Sequence, residues 1–191
     1  MMDQSLEEDV WESMWSPYDD SIYNQILNLI HSNDIILEIG AGDLRLARQI
    51  AQKSHRVYAI EFQLNILKKG LNSEKPSLPD NLYVICADAG LFPFPYDVST
   101  GVLMMRHCRH FRLYAEKLKA IGAKRLITNA RWGLGIEIVY LQQPRKKFNK
   151  VTIGEYACWC GEVGFVPGPV ELLTKVVVGH VHEVIDCPQC C

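Results

Sequence analysis

The stretch from Ile35 to Glu61 constrains this chain more than any other. Ile35, Ile36, Leu37 and Ile39 form a short apolar run of the kind buried in a parallel sheet, and Gly40 and Gly42 follow it directly. Glycines there let the backbone turn sharply and come close to a ligand. Leu44, Ala47, Ile50 and Ala51 recur at helical spacing, so a helix starts after the turn with its free N–H groups facing whatever the turn holds. Val57 to Ile60 reads as a second strand, and Glu61 at its end can accept hydrogen bonds from two ribose hydroxyls. Strand, glycine turn, helix, strand and acid, in that order, make a nucleotide-handling site.

A dinucleotide fits poorly, because Arg45 stands where the third small residue of GxGxxG should fall. The segment instead resembles motif I of the class I S-adenosylmethionine-dependent methyltransferases, in which an acid, here Glu38, precedes a GxG turn, here Gly40-Ala41-Gly42. The resemblance implies that Glu38 helps organise the methionine end of the cofactor, that Gly40, Ala41 and Gly42 lie against it, and that Glu61 holds the ribose. Asp43 and Leu44 follow where many members have a third glycine. Asn81 to Asp88 reads as another buried strand ending in Ala87-Asp88-Ala89, similar to the family motif whose aspartate contacts the adenine amino group. Phe62, Ala89 and Met105 complete the expected cofactor contacts. The resemblance spans residues 16 to 132 and implies an α/β fold with a doubly wound, mostly parallel sheet of the Rossmann-like methyltransferase type. A non-catalytic nucleic-acid- or protein-binding module on that scaffold is the alternative.

Outside the motifs, Ser16 reads as a helix N-cap with Pro17 at the first helical position, and Ile22, Ile26, Leu29 and Ile30 give that helix one apolar face. Gly101 to Met105 and Arg125 to Ala130 read as the fourth and fifth strands, with a helix over Phe111 to Ile121 between them. Ligands of such sheets bind at the carboxyl ends of the strands, so the segments from Met105 to His110 and from Asn129 to Trp132 should face the methyl acceptor. The Asn/Asp-Pro-Pro-Tyr motif of adenine amino-group methyltransferases is missing from the first of these. His107 or His110 could act as a general base, with Asn129 beside them. Cys108 could be a nucleophile, His107, Cys108 and His110 could hold a metal, or the whole stretch could be solvated loop. Arg106, Arg109, Arg131 and Trp132 make this mouth basic and partly aromatic, and residues 144–150 add a cationic loop; such a surface suits RNA, or a small anionic substrate.

The chain of 191 residues is 48% hydrophobic with a net charge of −2, enough apolar material for a full core and too little charge to coat a polyanion. The N-terminus is acidic and no window of about 18 apolar residues occurs, which predicts a cytoplasmic protein with no membrane partner. Of seven cysteines, Cys158, Cys160, Cys187 and Cys190 form a CxC…CxxC pattern close to zinc-ribbon spacing. Residues 1–150 are therefore read as the S-adenosylmethionine-binding domain and 151–191 as a small zinc-binding β element, delivered by a strand over Val176 to Val184. One competing fold makes Thr152 to Gly164 a helix, in which Cys158 and Cys160 would point about 200° apart and could not share an ion.

Overall fold

The computed structural model describes residues 18–72, 77–106 and 108–190. Its main sheet is parallel through β1 (Ile35–Ile39), β2 (Arg56–Glu61), β3 (Leu82–Cys86), β4 (Thr100–Leu103) and β5 (Arg125–Thr128). An antiparallel β6 (Glu137–Tyr140) completes the order β3-β2-β1-β4-β5-β6. This is the doubly wound α/β architecture that the sequence predicts, and the strand order reverses between β1 and β4.

Both faces of the sheet are covered, which is why its inner strands are near-continuous apolar runs and do not alternate apolar with polar residues. Leu37, Ile39, Ile60 and Leu126 face α4 (Phe111–Ala120), where they meet Phe111, Tyr114, Ala115 and Leu118. Ile36, Val57, Ala59 and Ile127 face the other way, onto α1 (Asp20–Asn28), α2 (Arg45–Ala51) and α3 (Leu64–Leu71). Helix α1 starts later than the sequence suggests: Asp19 is its N-cap, with a carboxylate oxygen accepting from the Ile22 amide at 3.0 Å. Ser16 and Pro17 lie outside the described residues. The fourth and fifth strands end at Leu103 and Thr128, two residues earlier than read.

A second sheet follows the first. Its strands β7 (Gly154–Cys158), β8 (Val163–Val166) and β9 (His182–Val184) lie in the order β8-β7-β9, with β8 antiparallel and β9 parallel to β7. Residues 152–164 thus form most of a hairpin, and the competing helix is not there. Val176 to Val184 is not one strand either: Lys175–Val178 is a single helical turn, α5, capped by the Thr174 side chain and closed at Gly179, and only its last residues enter the sheet. Trp159, at the hairpin tip, is buried in the core formed by α4 and the main sheet.

Helix α3 packs unusually close to the glycine turn. A Cβ on Gly70 would overlap the Asp43 carbonyl, and Arg48 of α2 donates to the Gly70 carbonyl at 2.9 Å. Gly70→Ala gains up to about 1 kcal/mol of helix propensity but forces backbone apart at a cost of about 1–3 kcal/mol. The clash should win, lowering the urea midpoint with the m-value unchanged.

Candidate functional site

A cleft of about 530 Å³ opens at the carboxyl end of the main sheet, over the point where the strand order reverses. Ile39 and Gly40 at the end of β1 and Met104 and Met105 beyond β4 form its floor. Gly42, Glu61, Phe62, Asp88, Ala89, Tyr18 and Tyr114 form its walls. Of the nine residues expected to touch the cofactor, seven line this cleft; Glu38 and Ala41 are buried and are not among its lining residues.

The turn is built for close approach. Gly40 and Gly42 have φ of +74° and +54°, and the Sδ atom of Met105 would lie 3.0 Å from a Cβ on Gly40. Leu44, in the place of a third glycine, also adopts the left-handed conformation, at φ +67°, with its side chain fully buried. The amides of Gly40 and Ala41 both donate to the Ile60 carbonyl (2.9 and 3.0 Å), and the Gly42 amide donates to Glu61 Oε2 (2.8 Å). Leu44 donates to the Ala41 carbonyl and Arg45 to the Asp43 side chain. The amides of Gly40, Ala41, Gly42, Leu44 and Arg45 are thus bound within the protein. These bonds leave fewer turn amides for a pyrophosphate, in keeping with Arg45 at the place of the third small residue.

Glu61 is buried, and its Oε1 accepts from the Gln63 amide at 2.8 Å. Each carboxylate oxygen keeps a second lone-pair direction, so the group can hold the turn and still accept from a ribose. Asp88 caps its own loop through Oδ1, which accepts from the Gly90 amide at 2.7 Å. Glu38 is 4% exposed and its Oε2 is buried with no hydrogen-bond partner. Burial, then the nearby Glu61 and Asp43 charges, push its carboxyl well above the usual range.

The proposed catalytic residues are placed less directly. His107 lies outside the described residues. His110 immediately precedes α4, exposed, with its ring 6.1 Å from that of Tyr114, and is not among the cleft-lining residues. Asn129 donates to the Tyr18 hydroxyl (2.7 Å), and Tyr18 in turn lines the cleft with Arg106 5.4 Å from its ring centre. Asn129 therefore orients a cleft residue. Burial raises the Cys108 thiol above its ordinary value, which works against a nucleophilic role.

The basic mouth is smaller than the sequence implies. Arg131 is 1% exposed: Nε and Nη2 form a fork on Glu137 (2.7 and 2.5 Å), and Nη2 also reaches Glu183 (2.6 Å). Arg145, expected on the cationic loop, donates to the second oxygen of Glu183 and lies over the Trp159 ring at 3.9 Å. Both arginines tie the two sheets together through Glu183. Arg106, Arg109 and Trp132 remain on the surface, Trp132 at 69% exposure.

The four C-terminal cysteines converge. Their sulfurs all lie within 4.8 Å of one another, with Cys158–Cys190 at 3.4 Å and Cys187 at 3.6 Å from both Cys160 and Cys190. These separations are far from a disulfide and bracket the ~3.8 Å between thiolates on a tetrahedral ion with ~2.3 Å bonds. The two turns deliver them in matched fashion: Gly161 donates to the Cys158 carbonyl and Cys190 to that of Cys187. The set could hold a metal ion.

No protein-family model and no curated protein matches the chain. Solved structures do match its fold. The precorrin-8w decarboxylase of Methanobacterium thermoautotrophicum aligns with TM-score 0.52 and 22% identity over 60% of this chain and 64% of that one. A precorrin-6y C5,15-methyltransferase from Geobacter metallireducens aligns with TM-score 0.52 and 15% identity over the same shares. The Haemonchus contortus phosphoethanolamine N-methyltransferase 1, solved with phosphoethanolamine and S-adenosylhomocysteine, aligns with TM-score 0.50 and 17% identity over 61% of this chain and 26% of that one. This chain spans less than two thirds of each of these proteins. At such identities the likeness establishes the fold, the Rossmann-like methyltransferase fold that the motifs imply.

The buried Glu38 gives a signed pH effect. Its folded-state pKa is raised, so the folded protein holds a proton that the unfolded chain releases above its ordinary value of 4.5, and stability falls as pH rises through the interval between the two. Glu38→Gln, which mimics the protonated acid, should melt higher than the wild type at pH 8, with the difference shrinking toward pH 4. Equal melting temperatures at every pH would show that Glu38 carries no such penalty.

Proposed function

We propose that the protein is an S-adenosylmethionine-dependent methyltransferase. The observation that carries this reading is the cleft itself: Glu61 at the end of β2 and Asp88 after β3 line it together with Gly40 and Gly42 of the turn, and Glu38 is buried in β1 next to that turn. Glu61 would hold the ribose hydroxyls, Asp88 the adenine amino group, and Glu38 the ammonium of the methionine end. Gly40 and Gly42 allow the backbone to lie against the ligand, and Phe62, Ala89 and Met105 supply apolar contact. When bound, S-adenosylmethionine supplies an electrophilic methyl group to an acceptor nucleophile. The protein's own share is alignment and exclusion of water, with His107 or His110, on the segment after β4, as the group that takes a proton from the acceptor. Asn129 fixes Tyr18 at the cleft wall.

The acceptor enters past the tails of β4 and β5, where Arg106, Arg109 and Trp132 suit a ring-bearing anionic substrate, an RNA nucleotide or a small molecule. Zinc is the ion we assign to the four cysteines, in a structural role, since four thiolates leave no open coordination position. Residues 151–191 then act as a metal-closed element joined to a cofactor domain of residues 1–150. No described helix is long and apolar enough to cross a membrane, and free thiols fit a reducing, cytoplasmic setting.

S-adenosylhomocysteine should raise the melting temperature, and NADH should not. Glu61→Ala should weaken S-adenosylhomocysteine binding by about tenfold or more, since ribose hydrogen bonds to a charged acceptor are lost along with the tie to Gly42. Stabilisation by NADH alone would overturn the assignment, and methyl-label transfer to fractionated RNA and metabolites identifies the acceptor.

Protein prepared without chelator should contain about one zinc per chain. Cys187→Ser should release it and open residues beyond 152 to protease, with S-adenosylhomocysteine still bound, because among the described residues none that lines the cleft lies beyond Tyr114. Substoichiometric metal with four freely titratable thiols would remove the zinc assignment.

A further inference from the structure

Lys117 of α4 reaches across to the loop that follows β3. Its ammonium donates to the carbonyls of Ala89 (2.6 Å), Gly90 (2.9 Å) and Phe92 (2.7 Å), which occupies all three of its N–H groups. It also lies 4.3 Å from the centre of the Phe94 ring. Asp88 closes the same loop from the opposite side. Its Oδ1 accepts from the Gly90 amide, and its carbonyl accepts from the amides of Leu91 (3.0 Å) and Phe92 (2.8 Å). The amides of this loop therefore turn toward Asp88 and its carbonyls toward Lys117. Three carbonyl dipoles that converge on one point repel each other unless a cation sits among them. Asp88 and Ala89 line the cleft, as does Tyr114, one turn before Lys117 on the same helix.

We propose that Lys117 is a positioning residue for the adenosine end of the cleft, holding the turn from Asp88 to Phe92 in the shape that presents Asp88 to the adenine amino group. The proposal rests on the reading of the cleft as an S-adenosylmethionine site. Lys117 is half-buried and holds the turn from Asp88 to Phe92 through main-chain carbonyls, so its effect on a ligand passes through Asp88 and Ala89. Burial makes its charge costly and the Asp88 charge opposes that cost, so the lysine and the aspartate support each other across the loop. A methionine would keep the length of the side chain and leave the three carbonyls without a donor.

The test is calorimetric titration of S-adenosylhomocysteine into the wild type, Lys117→Met, Lys117→Arg, Asp88→Ala and the Lys117→Met/Asp88→Ala double variant. Lys117→Met should weaken binding about tenfold, and Lys117→Arg, which can still donate to several carbonyls, should recover most of the loss. In the Asp88→Ala background the same methionine should cost less than about twofold, because the lysine acts through the aspartate. A lysine that only stabilises the fold would lower the melting temperature and leave the affinity unchanged, or weaken it by the same factor in both backgrounds, and either result overturns the proposal. Should Lys117→Met fail to fold, Lys117→Gln takes its place in the cycle with the same expectations. A wild type that does not bind S-adenosylhomocysteine overturns the cofactor reading, whereas a binding wild type with an equally tight methionine variant overturns only the role of Lys117.

Discussion

The bond from the Gly42 amide to the Glu61 carboxylate holds the working end of the molecule together. Parallel pairing sets Ile39 opposite Ile60, and the next three amides of the chain all terminate on β2, two on the Ile60 carbonyl and one on Glu61. The turn is thereby stitched to the neighbouring strand before any ligand arrives. The position of α2, the burial of Leu44 and the seat of Gly70 against Asp43 all follow from where that stitch leaves the backbone. A carboxylate is suited to the task because a charge-assisted hydrogen bond in a half-dry site is stronger than a neutral one.

A second constraint joins the two sheets. Arg131 sits between Glu137 on β6 and Glu183 on β9, and Arg145 binds the free oxygen of Glu183 while covering Trp159. Buried charge of this kind adds little net stability over apolar packing, but losing one partner strands the others. Its value is directional: the fork on Glu137 fixes the plane of Arg131 and hence where Glu183 must come. The cysteine turns flank this strand, so the four-cysteine cluster is oriented by an ionic contact as well as by its own hairpin.

Much of this was legible in the sequence, for identifiable reasons. The strands β1 to β5 announce themselves because both their faces are buried and their apolar runs follow one another with helical segments between. Glu61, Asp88 and the four cysteines could be read because chemistry of that kind depends on spacing within a few residues. Arg131 could not: Glu183 lies 52 residues away, and an arginine in a loop looks solvated until its partner is folded beside it. β6 is short and follows a turn through Gly133 and Gly135, with too few residues for a period to show. Lys175–Val178 misled because a run of β-branched valines favours a strand, and the Thr174 cap with Gly179 after it outweighed that preference over one turn. Helix α3 offers only Leu64, Leu67 and Leu71 at helical spacing over two turns, too short a run to stand out, and the approach of its Gly70 to Asp43 is a contact that only the folded chain defines.

Leu44 has a consequence for how tightly the cleft can hold a small molecule. A glycine at this left-handed position would cost nothing sterically but would leave the free turn able to sample many shapes. Leucine bears about 1–2 kcal/mol of backbone strain there, and its fully buried side chain more than offsets it. The turn is left with a single conformation, locked from beneath by the core. Preorganisation of this sort acts on entropy: a ligand that meets a rigid wall has little backbone freedom to remove, so more of its contact energy is expressed as affinity.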